Sequence, residues 1–112
     1  MTEYYKLIRD WDRKETSIPV SQGILMFKKT RGLFPKVNLE TSHISLEDNY
    51  HAALHTTDNG SCFLWDRGNG TFVERDSQKY FVKNSVFEVY PGDRISLRET
   101  LPSYSIYKVK GA

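Results

Sequence analysis

Short apolar runs separated by turn residues are the feature that most limits the folds open to this sequence. No window of about 11–18 residues repeats apolar residues at helical spacing. Instead, runs of mostly four to six residues, rich in β-branched and aromatic types, predict strands. The runs are Tyr4–Ile8, Gly23–Phe27, His43–Leu46, His51–Thr56, Cys62–Asp66, Thr71–Glu74, Lys79–Val82, Val86–Val89, Arg94–Leu97 and Tyr104–Val109, with Val37 and Leu39 marking one more.

The residues between these runs have the chemistry of tight turns. Asn59-Gly60 and Gly68-Asn69-Gly70 each lie between two apolar runs, where glycine supplies the positive φ that a hairpin turn requires. Pro91-Gly92-Asp93 combines a proline that presets φ with a glycine. The pattern predicts an all-β fold, a two-sheet antiparallel β-sandwich of about eleven strands with less than ~10% helix.

The length of 112 residues is enough for one domain and too short for two. We predict that residues 1–109 form this domain and that residues 110–112 begin a linker. Because the chain starts with Met1, we expect the N-terminal domain of a longer polypeptide.

Composition excludes several classes of function. No run of ~18 apolar residues is present, so we expect no membrane-spanning helix. The charged N-terminus lacks the apolar stretch of a secretory signal. Sixteen Lys and Arg residues against fourteen Asp and Glu give a net charge of +2, too balanced for a surface that binds nucleic acid all over. The single cysteine, Cys62, fits a reducing compartment, and its apolar neighbours predict a core position.

The segment from Asp48 to Val73 resembles the core of a forkhead-associated (FHA) domain. That family has a serine, an arginine and a variable residue before a His-Ala pair, then an apolar strand, an Asp and Asn-Gly-Thr. This sequence has His51-Ala52, Asp66 and Asn69-Gly70-Thr71 in that order, and a later Gly92-Asp93 before an apolar strand. The resemblance extends over roughly residues 23–109.

Membership of this family implies a sandwich whose loops at one end bind a phosphothreonine peptide. A dianionic phosphate requires an arginine fork and hydroxyl or backbone donors. An asparagine such as Asn69 would hold the peptide backbone through its amide. The remaining motif residues are implied to be structural: His51, Asp66, Gly70, Thr71, Gly92 and Asp93.

Three departures from the family pattern affect the phosphate site. The serine and arginine positions hold Asp48 and Asn49, and an aspartate there repels phosphate. The Gly-Arg pair that ends an earlier strand in the family is missing, so Lys28, Lys29 or Arg31 would have to replace it. The serine that precedes Asn-Gly-Thr in the family is also missing. We therefore expect phosphothreonine binding to be lost.

Other chemistries have weaker support. His51 and His55 share one face of a strand, but only His43 and Cys62 could complete a metal site with them. Because these four residues do not have the close spacing of metal ligands, we expect no metal or cofactor. No nucleophile elbow, phosphate-binding glycine loop or metal motif is present, so we expect no enzyme and no small-molecule substrate.

The basic and aromatic residues are interpreted as surface loop and core. Lys28, Lys29, Arg31 and Lys36 form a basic run that is either a solvated loop or a contact for a phosphopeptide or nucleic acid. The larger aromatic side chains are expected in the core rather than on a base-stacking surface: Tyr4, Trp11, Phe63, Trp65 and Phe72.

The expected function is a non-catalytic protein-interaction module that forms homodimers, with the FHA fold retained. The resemblance to N-terminal FHA domains of DNA-damage checkpoint mediators, and of related insect mutator proteins, implies a chromatin or telomere scaffold of genome maintenance in the nucleus, with the cytoplasm as the other location. Alternatives are a phosphothreonine reader that uses Lys28, Lys29 or Arg31 on a phosphoprotein, and a nucleic-acid-binding β-barrel. Membrane partners are not expected.

Overall fold

The structure is a computed structural model, and it describes residues 3–21, 23–28, 37–40, 50–68, 70–97 and 103–110. Over these residues the chain forms eleven β-strands and no helix, which confirms the all-β prediction. The strands are β1 Glu3–Arg9, β2 Glu15–Pro19, β3 Ile24–Lys28, β4 Val37–Glu40, β5 Tyr50–Thr56, β6 Cys62–Asp66, β7 Thr71–Arg75, β8 Gln78–Val82, β9 Val86–Val89, β10 Arg94–Ser96 and β11 Tyr104–Lys110. The described part of the chain contains no helix that could cross a membrane.

Strand positions agree closely with the sequence pattern. Each predicted run within the described residues lies within one residue of an observed strand at both boundaries. The prediction for His43–Leu46 falls outside the described residues. The pattern missed β2, because only Ile18 in this strand is apolar and points into the core, and a proline ends it. Proline is tolerated there because β2 is an edge strand.

The strands form two antiparallel sheets. One has six strands in the order β2-β1-β11-β10-β7-β8, and the other has five in the order β4-β3-β5-β6-β9. The sheets pack face to face through side chains that alternate inward along each strand. Leu7 and Ile106 from the six-stranded sheet and Leu25, Leu54 and Leu64 from the five-stranded sheet belong to one buried cluster.

Antiparallel pairing divides the connections between the two ends of the sandwich. The β6–β7 connection, residues 67–70, lies at the same end as the β1–β2 turn and the β8–β9 connection, and we call this the motif end. The β5–β6, β7–β8 and β9–β10 turns lie at the far end.

One side of the sandwich is formed by consecutive strands. β8 is the last strand of the six-stranded sheet and β9 is the last strand of the five-stranded sheet. Only residues 83–85 join them, so the two edges lie next to each other. We call this surface the β8/β9 side.

Candidate functional site

The carboxylate of Asp66 is the centre of the motif end. Asp66 is the last residue of β6 and is 6% exposed. It accepts hydrogen bonds from the backbone N–H groups of Gly68 (2.8 Å), Gly70 (3.0 Å) and Asn84 (2.9 Å), and from the hydroxyl of Thr71 (2.7 Å). A single side chain therefore fixes the β6–β7 connection and ties it to the β8–β9 connection.

The ionisation of Asp66 follows from these contacts. Burial alone would raise the pKa of this carboxyl. The hydrogen bonds from Asn84, Thr71, Gly70 and Gly68 outweigh burial, so the pKa of Asp66 lies below its ordinary value of 3.8. The carboxylate keeps its charge at neutral pH and directs it to the protein's own donors rather than to a ligand.

His51 connects the five-stranded sheet to the same loop. Its ring nitrogen Nε2 lies 2.8 Å from the carbonyl oxygen of Gly70. Its backbone carbonyl accepts from the N–H of Arg67 at 3.3 Å. Together with Asp66 and Thr71, His51 therefore holds the β6–β7 connection from the inside.

Gly70 is required by both conformation and packing. Its φ is +90°, in the region that favours glycine. A Cβ at this position would lie 2.5 Å from Cζ of Phe81. Gly60 (φ +85°) and Gly92 (φ +94°) also have the positive φ that the turn chemistry predicts.

The second pair of motif residues lies elsewhere. Gly92 and Asp93 are in the β9–β10 turn at the far end, away from His51 and Asp66. Asp93 is 2% exposed and accepts from Nε (2.9 Å) and Nη2 (2.6 Å) of Arg75 and from the N–H of Tyr90 (2.8 Å). The motif residues therefore form two separate structural braces, one at each end.

Arg75 is an important residue that the sequence analysis missed. Besides binding Asp93, its Nη2 donates to the carbonyl oxygen of Glu88 at 3.0 Å. Its guanidinium lies 4.4 Å from the centre of the Tyr90 ring and 5.4 Å from that of Phe87. Arg75 therefore closes the space between β7 and β9 at the far end. Its position in sequence gave no signal, because these partners come from other strands and turns.

Of the predicted phosphopeptide-site residues, the structure places one. Lys28 is the last residue of β3 and pairs with Tyr50 at the start of β5, so its backbone lies at the motif end. The other predicted positions lie outside the described residues: Lys29, Arg31, Asp48, Asn49 and Asn69.

Of the side chains considered for a metal site, His43 lies outside the described residues. Among the described residues, no group of three His, Cys, Asp or Glu side chains could hold a metal ion. The His55 ring packs edge-on against Trp65, with 5.2 Å between ring centres. Cys62 is 1% exposed, and burial raises the pKa of its thiol to about 12, so it is protonated at neutral pH.

The expectation that the large aromatic residues lie in the core is wrong for both tryptophans. Trp65 is 37% exposed because β6 alternates, with Cys62, Leu64 and Asp66 facing inward. Trp11 is 46% exposed in the β1–β2 turn, with the guanidinium of Arg9 at 4.3 Å from its ring centre. Tyr4, Phe63 and Phe72 are half-buried. An apolar run in the sequence does not reveal which face of the strand packs against the core.

The outer face of the six-stranded sheet has a groove of about 390 Å³. Trp11, Phe72, Lys79 and Arg94 are among the residues that line it. Arg94 donates through Nη2 to Asp10 (3.1 Å) and to Ser103 (2.9 Å). One of the two cations that line the groove, Arg94, is therefore already held by a carboxylate of the same chain.

Comparison with models of known protein families gives no match, and comparison with curated proteins gives none either.

Proposed function

We propose that this chain is a non-catalytic protein-interaction module that forms homodimers on an FHA-like scaffold. The observation that carries the proposal is the exposure of apolar side chains on the β8/β9 side. Phe81 of β8 is 58% exposed and Val86 of β9 is 56% exposed, the highest values among the large apolar residues that the structure describes. Exposed apolar groups on adjacent open edges are typical of association surfaces.

Self-association is tested by sedimentation velocity from low micromolar to several hundred micromolar protein. The proposal predicts a concentration-dependent shift from the 13.0 kDa monomer to twice that mass. A monomer throughout this range would contradict it.

We further propose that phosphothreonine binding is lost. The support is the sequence, which has Asp48 and Asn49 where the FHA pattern has serine and arginine. A carboxylate about 4 Å from a unit negative charge is repelled by about 4 kcal/mol at an effective dielectric of ~20. The missing arginine fork would remove roughly another 1.5–3 kcal/mol. Since each 1.4 kcal/mol is about tenfold, a micromolar reader would become millimolar or weaker.

The experiment compares phosphorylated and unphosphorylated threonine peptides by calorimetry, on the wild type and on Asp48→Ser. We expect no phosphate-dependent binding by the wild type and weak binding by the variant. Micromolar, phosphate-dependent binding by the wild type would contradict the proposal and favour a reader.

A phosphothreonine reader is the second candidate, because the backbone of Lys28 lies at the motif end. If the chain is a reader, Lys28→Ala should weaken binding of the phosphorylated peptide and leave the unphosphorylated control unchanged. The exposed Lys108 of β11, whose side chain lies near Gly60 of the β5–β6 turn at the far end, provides a matched control variant, Lys108→Ala.

For cellular context we propose a chromatin scaffold of genome maintenance, including telomeres, in the nucleus. The support is the FHA-like sequence pattern alone. A fluorescent fusion of the natural protein should concentrate in nuclei and accumulate at DNA breaks after irradiation. A fusion that stays in the cytoplasm before and after irradiation would contradict this part of the proposal.

A further inference from the structure

The hydrogen-bonding groups on the open edge of β8 are identified by its hairpin with β7. The turn residues Asp76 and Ser77 have φ of 51° and 66°, and they connect Arg75 directly to its paired residue Gln78. In such a two-residue hairpin the pair that flanks the turn exchanges hydrogen bonds, and the ladder then alternates. Lys79 and the residue two further on, Phe81, therefore direct their backbone N–H and C=O groups away from β7.

The same reasoning identifies the open groups of β9. The N–H of Asp66 donates to the carbonyl of Ser85 at 3.0 Å, which fixes the phase of the β6–β9 ladder. Val86 and Glu88 therefore direct their backbone groups away from β6. The bond from Arg75 to the carbonyl oxygen of Glu88 agrees with this phase, since it reaches that oxygen from outside the ladder.

The side chains at these positions are complementary. If β8 of one molecule lies antiparallel to β9 of a second, Phe81 opposite Val86 places Lys79 opposite Glu88. One pair joins the two most exposed large apolar side chains in the described structure. The other pair joins opposite charges, Lys79 and Glu88. In the single molecule, Lys79 has no ion pair with any described residue. The carboxylate of Glu88 accepts a hydrogen bond from the hydroxyl of Tyr90. Cross-strand pairs of both kinds are favourable.

We propose that two copies of this chain associate through the β8/β9 side, β8 of each pairing antiparallel with β9 of the other. This inference rests on the homodimerisation proposed above and assigns its surface. A twofold axis parallel to the strands exchanges the two sheets and leaves strand directions unchanged. Both ladders then form at once, as a closed symmetric dimer requires.

The core continues across such an interface. The side chains of Tyr80 in β8 and Phe87 in β9 meet between the two edge strands, with 5.3 Å between their ring centres. Both are partly buried against the core. A second copy on this side would cover them. The bond from Arg75 remains, because a carbonyl oxygen has two lone pairs and can accept from Arg75 and from a strand N–H together.

Disulfide trapping tests the register. In hydrogen-bonded antiparallel pairs the Cα atoms are about 5.5 Å apart, within the range that a disulfide spans. Phe81→Cys protein mixed with Val86→Cys protein should therefore give a disulfide-linked heterodimer on mild oxidation. Either variant alone should give little, since neither position lies opposite itself. Cys62 stays in place because it is buried and protonated.

A matched control uses an exposed aromatic residue outside the proposed interface. Tyr107 of β11 is 41% exposed and two strands away from β7. Tyr107→Cys mixed with Val86→Cys should give no more cross-link than either variant alone.

Charge-reversal variants test the same strand pairing without a covalent cross-link. Lys79→Glu and Glu88→Lys should each weaken the dimer by about tenfold, because each change places like charges opposite each other in both ladders. The double variant restores opposite charges, and its dissociation constant should return to within about threefold of the wild type. Lys14→Glu, on the β1–β2 turn, should leave dimerisation unchanged.

The results separate the two proposals. A dimer that shows neither the specific cross-link nor the charge rescue would overturn the assigned surface and leave homodimerisation standing. A monomer at every concentration would overturn both. A cross-link between two Phe81→Cys molecules in preference to the mixed pair would overturn the β8–β9 register.

Discussion

Gly70 links the loop at the motif end to the surface of β8. Its positive φ allows the turn after β6, and the absence of a side chain leaves room for the ring of Phe81. Phe81 in turn packs against Phe72, with 5.0 Å between ring centres. An alanine here would therefore disturb the backbone and an aromatic pair together.

We predict that Gly70→Ala destabilises the domain by about 1 kcal/mol from backbone strain and by roughly 0.5–1.5 kcal/mol more from displacement of Phe81. The control is Gly68→Ala, since Gly68 has a similar φ of +99° and a Cβ there would meet no atom within 4 Å. Urea denaturation of both variants measures the difference. Equal losses would show that Phe81 moves aside without cost.

The residue identities in the motif-end brace could be read from the sequence, but their contacts could not. His51, Asp66, Gly70 and Thr71 stood out by type and order. Nothing in the sequence showed that one carboxylate would also bind the N–H of Asn84, which comes from a different connection. Such contacts depend on how the two sheets are packed, and a linear pattern carries no information about that.

At the level of strands, alternation and turn chemistry were enough to place most elements. The type of apolar residue predicted every described strand except β2, yet it could not show which face of a strand is covered, and so it misplaced Trp65. The β7–β8 turn was also not anticipated, because Asp76 and Ser77 adopt positive φ without a glycine. The order of the strands within each sheet could not be predicted from the sequence pattern, because it depends on contacts between strands that are distant in sequence.

The link between β7 and β9 through Arg75 should be important for stability. We predict that Arg75→Lys costs about 1–3 kcal/mol, because lysine cannot bind Asp93 with two parallel hydrogen bonds and also reach the carbonyl of Glu88. Chemical denaturation gives the loss.

The matched control for this change is Arg94→Lys. Arg94 also binds an aspartate, but its ion pair is more exposed. The side chains of Arg94 and Asp10 are 51% and 21% exposed, whereas those of Arg75 and Asp93 are 26% and 3% exposed. We expect its loss to stay below about 1 kcal/mol, as for other exposed ion pairs. Equal losses for the two variants would contradict the role assigned to Arg75.

For the whole molecule, three carboxyl groups among the described residues contribute stability that is lost in acid. Arg9, through its hydrogen bonds, lowers the pKa of Asp12 to about 2. Burial would raise the pKa of Asp10, but hydrogen bonds from Ser103, Ser105 and Arg94 lower it below 3.8. The pKa of Asp66 is lowered in the same way by its own donors. All three therefore bind protons less tightly when folded than when unfolded.

We predict that the free energy of unfolding falls as the pH is lowered from about 5 to about 2. The sign follows from the lowered pKa values: the stabilisation is complete above the ordinary value of 3.8 and disappears as each folded carboxyl is protonated. Urea denaturation across this range measures the slope. Asp66→Asn should be less stable at neutral pH and show a shallower decline in acid; an unchanged decline would contradict this account.

The position of β11 has a consequence for how the protein is made. This strand lies between β1 and β10, so the last of the eleven strands to leave the ribosome enters the middle of the six-stranded sheet. Before Tyr104–Lys110 emerges, the sheet exists as two pieces with two additional unpaired edges, and Leu7 and Ile95 lack the neighbour that completes their burial. These two edges therefore stay unpaired until Tyr104–Lys110 has been synthesised, which leaves them open to pairing with other strands during translation.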